Sequence, residues 1–87
     1  MAEDLVGVVT NFYARPGVAG IKITSGSIRK GDILRYKGHT TDFTEEVASI
    51  EIENTPVDEA KTGDLAGVKV RERVRENDKV YKVVNET

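Results

Sequence analysis

Hydrophobic and polar positions alternate with period two through most of the chain, the spacing of strands whose successive side chains point to opposite faces of a sheet. Leu5-Val6-Gly7-Val8-Val9-Thr10-Asn11-Phe12 is rich in β-branched and aromatic residues and reads as the first strand. Gly7 inside it marks a bulge or a close backbone approach. In Val18 to Thr24, Ala19, Ile21 and Ile23 share one face while Gly20, Lys22 and Thr24 share the other, the pattern of a half-buried strand. Ile33 to Lys37 sets Leu34 and Tyr36 on one side and Ile33, Arg35 and Lys37 on the other. Phe43 to Ile52 is expected to continue extended, with Ala48, Ile50 and Ile52 on one side and Val47, Ser49, Glu51 and Glu53 on an acidic outer side. A helical turn starting at Thr44 is the rival reading there. Leu65 to Arg71 and Lys79 to Val84 complete the set, and Met1 to Asp4 is expected to be a loose polar lead-in.

Turn residues separate these runs. Arg15-Pro16-Gly17 predicts a hairpin, with proline presetting φ and glycine accepting the positive value of a type II turn. The stretch Gly26-Ser27-Ile28-Arg29-Lys30-Gly31-Asp32-Ile33-Leu34 brackets a short rise with two glycines, at least one expected at positive φ. Ala60-Lys61-Thr62-Gly63-Asp64-Leu65-Ala66-Gly67-Val68 repeats the Gly-Asp step before an apolar run. Gly38 to Asp42, Asn54 to Pro56 and Glu76 to Asp78 are further breaks, and Val57 to Lys61 reads as a connector with room for one helical turn. About six short strands and no amphipathic helix of normal length predict an all-β fold, a small antiparallel six-stranded β-barrel. Its expected core is Val8, Ile21, Ile23, Leu34, Ile50, Val68 and Val80.

At 87 residues the chain has room for one domain, 1–87, and one core. The absence of cysteine excludes a disulfide framework, a thiolate nucleophile and Cys-ligated zinc, and favours a reducing cytoplasmic setting. No apolar run approaches the ~20 residues that would span a bilayer, and no leader pattern stands at the start, so a soluble protein without a membrane role is expected. One Met, no Gln and 32% charged residues point toward a heat-tolerant source.

Little in the chain suggests catalysis. His39, the single histidine, lies in a Gly/Thr-rich loop with no second imidazole to share a metal, and Ser25, Ser27 and Ser49 have no base and orienting acid spaced for a triad. The pairs Glu45-Glu46 and Asp58-Glu59 are sequence neighbours that diverge on a strand. Asn85-Glu86-Thr87 matches a glycosylation acceptor but follows no secretory signal. No enzyme, cofactor or metal site is expected. The constellation that rises above background is Lys69-Val70-Arg71-Glu72-Arg73-Val74-Arg75. If the strand runs through it, Lys69, Arg71, Arg73 and Arg75 form a line of cations able to track phosphates. The other reading pairs them across the sheet with Glu51 and Glu53, and the net charge of −2 favours it. Tyr13 beside Arg15 at a turn is a candidate for stacking on a base.

The order of parts, an opening Val-Gly-Val-Val strand followed by the two Gly-Asp stretches, resembles the second, β-barrel domain of translational GTPases such as elongation factor Tu. The resemblance implies a translation-protein-like barrel that acts as a binding module, with RNA (tRNA or rRNA) or a translation-associated protein as partner. GTP hydrolysis is not implied, because the chain has no phosphate-binding G-x-x-x-x-G-K-[ST] loop. Asp42-Phe43-Thr44-Glu45-Glu46-Val47 carries a fainter likeness to the accessory barrel of collagenase-like peptidases. The alternative function is a protein-interaction or assembly subunit that presents a sheet edge or the Gly38 to Asp42 loop.

Overall fold

A computed structural model describes residues 2–84, and Asn85-Glu86-Thr87 lies outside them. The alternating runs form antiparallel strands: β1 (Ala2–Tyr13), β2 (Val18–Ile23), β3 (Ser27–Arg29), β4 (Ile33–Lys37), β5 (Asp42–Glu46), β6 (Ile50–Ile52), β7 (Thr55–Val57), β8 (Glu59–Lys61), β9 (Leu65–Lys69) and β10 (Lys79–Val84). Eight of them make one sheet in the order β5-β4-β10-β1-β2-β9-β6-β7, and β3 pairs with β8. The sheet curls into a barrel-like all-β fold whose inner face carries Ile21, Ile23, Ile28, Leu34, Tyr36, Ile50, Val68 and Val80, all buried. Tyr36 stacks on Phe43 with ring centroids 4.9 Å apart. Burial pushes the Tyr36 phenol far above its ordinary range.

The strands number ten among the described residues rather than six, because the expected Phe43 to Ile52 run divides and three short strands, β3, β7 and β8, form where connectors are expected. β5 ends at Glu46. Val47 then turns inward, its N–H donating to the Asp32 carbonyl at 2.8 Å and its carbonyl accepting from Gly31 N–H at 2.9 Å. Val47 is therefore buried and Ala48 exposed, the reverse of the expected sides. Val57 to Lys61 holds no helical turn but parts of β7 and β8. Pro56 sits on the outermost strand of the large sheet, where its missing N–H leaves no ladder bond unmade.

β1 departs from strict alternation twice. Register slips between Leu5 and Gly7 and again between Val9 and Asn11, so Val6 and Val9 enter the core while Val8 turns half outward. A Cβ on Gly7 would lie 2.6 Å from the Lys22 carbonyl oxygen, so the glycine serves both a bulge and a close approach. Ala2 to Asp4, expected to be loose, pair with Val84 to Lys82 of β10. On the outer face Arg35 bridges Glu3 at 3.0 Å and Asp42 at 2.9 Å. The hydrogen bond from Arg35 holds the Asp42 carboxyl below its ordinary value.

One turn recurs three times. At Arg29–Asp32, Lys61–Asp64 and Arg75–Asp78, the aspartate N–H donates to the carbonyl three residues back, at 3.0, 2.9 and 3.1 Å. In each, the aspartate Oδ2 accepts the N–H of that same residue at 2.8 Å. The third residue takes positive φ: Gly31 at 93°, Gly63 at 97° and Asn77 at 74°. Gly26 also takes positive φ, 70°. The first and second turns deliver the chain into β4 and β9, and the third delivers it into β10.

Candidate functional site

The outer face of the sheet dips where β1, β2, β9 and β6 run side by side. Ala19-Gly20-Ile21 and Ala66-Gly67-Val68 pair antiparallel, so Gly20 stands directly opposite Gly67. Asn11 flanks Gly20 from β1 and Glu51 flanks Gly67 from β6. One row across four strands thus reads Asn11, Gly20, Gly67, Glu51, with no side chain at its two central positions. Neither glycine has positive φ, so backbone conformation does not demand them. Gly67 is partly exposed, whereas Gly20 is buried against Thr10 and Asn11, whose Oγ1 and Cβ lie 3.2 and 3.4 Å from where its Cβ would stand. The row is low for want of two side chains, and an open groove of about 550 Å³ lies over it, a size typical of ligand sites.

Beyond the glycine row, toward the β1–β2 turn, Tyr13, Val18 and Lys69 stand in register. Tyr13 is 55% exposed, and Arg15 from the adjoining turn shares the lining with it. Gly17 N–H closes that turn on the Tyr13 carbonyl at 3.0 Å, and Val70 N–H donates to the Gly17 carbonyl at 3.0 Å, which fixes the turn against the end of β9. The opposite wall belongs to Glu51 and Glu53. Glu53 and Asn54 form a two-residue hairpin loop between Ile52 and Thr55, both at positive φ, 52° and 63°. A glutamate in the left-handed region is uncommon, and this one holds its place at the rim of the groove.

The cationic stretch is not a continuous strand. β9 ends at Lys69, and residues 70–78 cross to β10 as an irregular segment in which Val70 and Val74 are buried while Arg71, Glu72, Arg73 and Arg75 are exposed. The expected line of four cations on one strand face is therefore replaced by three on a loop and one on the sheet. Pairing with Glu51 and Glu53 is also absent among the described residues. Arg71 instead binds Glu45, through its backbone N–H at 3.2 Å and its guanidinium. The other ion pairs described join Arg29 to Glu59, Arg35 to Glu3 and Asp42, and Lys82 to Asp32. Arg15, Lys69, Glu51 and Glu53 take part in none of them.

Of the residues singled out from the sequence, the groove brings together Tyr13, Arg15 and Lys69 and leaves Arg71, Arg73 and Arg75 outside its lining. It adds Gly20 and Gly67 as floor and Glu51 and Glu53 as rim. The signal for the floor is the repeated Ala-Gly-apolar tripeptide, since a glycine in the middle of a strand marks a place where something approaches the backbone closely.

The model of elongation factor Tu domain 2 matches residues 17–77. The chain belongs to the elongation factor Tu domain 2 family. It is also similar to proteins of another description. It is 40% identical over 77 residues to an uncharacterized protease of Methanocaldococcus jannaschii, covering 87% of this chain and 19% of the relative. It is 35% identical over 81 residues to a collagenase of Porphyromonas gingivalis, covering 92% of this chain and 22% of that protein. The chain thus spans about a fifth of the length of the curated relatives it matches. Among solved structures, its fold is that of the C-terminal domain of a protein assigned to the U32 peptidases in Geobacillus thermoleovorans, with a TM-score of 0.85, 20% identity, and 93% of each chain covered. This elongation factor Tu domain 2 barrel is therefore of a kind that also occurs as a small domain of a larger peptidase-like protein.

Proposed function

We propose that the barrel is a non-catalytic accessory module that holds an extended polypeptide segment in the groove over Gly20 and Gly67, in the service of a catalytic domain or chain of the peptidase kind. The observation that carries this reading is the low floor at the paired glycines between a cationic rim and a carboxylate rim. An extended backbone is narrow enough to approach two opposed glycines. A phosphate backbone, by contrast, would meet Glu51 and Glu53 with like charge. Ser49 and Thr10 are the aliphatic hydroxyl side chains in the groove's lining, and His39, the chain's one imidazole, lies on the β4–β5 turn rather than in the groove. Similarity to proteases and a collagenase supports a polypeptide as the partner class.

Fluorescence anisotropy at physiological salt tests the reading, with labelled unstructured peptides of mixed charge and a labelled single-stranded RNA as the two probes. Saturable binding of peptide and not of RNA is the expected result. Saturable RNA binding with no peptide binding would overturn it.

A second reading, an RNA contact in translation, rests on Arg73 and Arg75, which are exposed on the β9–β10 loop and make no ion pair among the described residues. Under that reading the double variant Arg73→Ala, Arg75→Ala weakens RNA binding and reduces its salt dependence by about 0.7 for each phosphate no longer neutralised. If the variant binds RNA as the parent does, that reading is discarded.

A further inference from the structure

The groove carries charged side chains at both of its ends. Lys69 lies at one end in register with Val18 and Tyr13, and Arg15 reaches the same end from the β1–β2 turn. Two residues back along β9, Gly67 is opposite Glu51. Because β6 runs antiparallel to β9, continuing from Glu51 to Glu53 leads further from Lys69, toward Leu65. Over the four-residue step from Lys69 to Leu65, roughly 13 Å of strand, the rim changes from positive to negative. The chain has carboxylates and cations in plenty, and it pairs Arg29, Arg35, Arg71 and Lys82 with acidic partners elsewhere in the fold. None of the four rim charges is engaged in an ion pair among the described residues.

From this layout, and resting on the polypeptide-docking reading, we infer that the groove selects by charge order. Its occupant is an extended segment with an acidic residue over Arg15 and Lys69 and a basic residue two to four positions away over Glu51 and Glu53, joined by small residues where the backbone crosses Gly20 and Gly67. Side chains of an extended segment that face the floor recur every second residue, about 7 Å apart. That spacing brings one side chain to each rim when the backbone lies along β2 and β9. The small linking residues follow from the floor, since a large side chain there would lift the backbone off the two glycines. Exposed Leu65, 55% accessible, closes the acidic end and offers an apolar contact to the stem of a long basic side chain.

The test uses the full chain and four synthetic peptides of one length that differ only in the residues flanking a Gly/Ala centre. One carries an acid and a base, one two acids, one two bases and one two serines. At low salt the mixed peptide is expected to bind about tenfold tighter than the serine peptide, four exposed charge contacts each contributing modestly. The doubly acidic and doubly basic peptides are expected to fall between. The decisive arm reverses one rim. Glu51→Lys with Glu53→Lys should transfer the preference to the doubly acidic peptide, and Arg15→Glu with Lys69→Glu should transfer it to the doubly basic one. All four positions are exposed, so the variants are expected to fold, and circular dichroism checks that they do. If the four peptides bind the parent chain alike and neither reversal changes the order, selection by charge is wrong while docking in the groove stands. If none of them binds the parent, the docking reading falls with it.

Discussion

Gly20 and Gly67 face one another across β2 and β9 at backbone conformations that any residue adopts. A Cβ on Gly67 would come within 3.3 Å of a Val18 γ-methyl and 3.8 Å of the Glu51 carbonyl oxygen. Val18 is only half buried and able to shift by the few tenths of an ångström required. Gly67→Ala is therefore expected to leave stability within about 1 kcal/mol of the parent, since the reduced freedom of the unfolded chain offsets the crowding. Its effect on peptide binding should be larger than its effect on the melting temperature. Parallel thermal melts and peptide titrations check this, and a large drop in stability would mean that the glycine serves the fold rather than the groove.

Gly38 presents the opposite case. A Cβ there would overlap the Asp78 carboxylate, 1.8 Å from Oδ1, and Asp78 is buried with its Oδ2 holding Arg75 N–H at 2.8 Å. Gly38→Ala is expected to cost roughly 2–3 kcal/mol, because it displaces that carboxylate and breaks the turn's hydrogen bond. Chemical denaturation measures it.

The three aspartate turns should respond to substitution as one family. No heavy atom lies within 4 Å of a Cβ built on Gly31 or Gly63, so the whole cost of alanine there is backbone conformation, about 1 kcal/mol. Gly31→Asn and Gly63→Asn should cost less, because asparagine tolerates the left-handed region and occupies it at Asn77. Asn77→Gly should be neutral or slightly stabilising. Melting temperatures of the five variants decide whether the turns are equivalent.

Acid should act on the Arg35–Asp42 pair. The hydrogen bond from Arg35 lowers the Asp42 pKa in the folded state from 3.8. The unfolded chain then binds more protons than the native one between the two values. Stability from this pair is complete above the ordinary aspartate range and disappears as pH falls through the lowered folded value. Asp42→Asn is expected to flatten the acid limb of the stability profile and to leave its shape near neutral pH unchanged. An unaltered acid limb would mean that the exposed pair contributes nothing measurable.

Much of this fold is written in period-two alternation and turn chemistry. Ile21, Ile23, Leu34, Ile50, Val68 and Val80 are buried as the alternation requires, and Gly26 and Gly31 take the positive φ their turns demand. The departures are local and share a cause. Counting in twos puts Val8 and Val47 on the wrong faces, because a bulge at Val6 and a strand break after Glu46 each shift the count by one. The third aspartate turn is legible as a break at Glu76 to Asp78, but its likeness to the other two is masked, since Asn77 stands where they carry glycine. The cationic run from Lys69 to Arg75 keeps valines inward as a strand would, but the chain leaves the sheet after Lys69 and only that residue reaches the groove. The groove itself depends on register, which no single strand carries. Two Ala-Gly-apolar tripeptides are visible in the sequence, whereas their pairing, with Glu51 beside them, is a property of the folded sheet.

If a polypeptide docks in this groove, amide chemical-shift mapping during titration with the mixed-charge peptide shows it most directly. The expected result is a set of saturating shifts centred on Gly20 and Gly67 and extending to Tyr13, Lys69 and Glu51, abolished in Gly67→Val, a larger substitution than the alanine and one that fills the floor. Shifts centred instead on the loop carrying Arg73 and Arg75, or on the outer face around Arg35 and Tyr81, would contradict docking there, as would a Gly67→Val chain that folds and binds the peptide as the parent does.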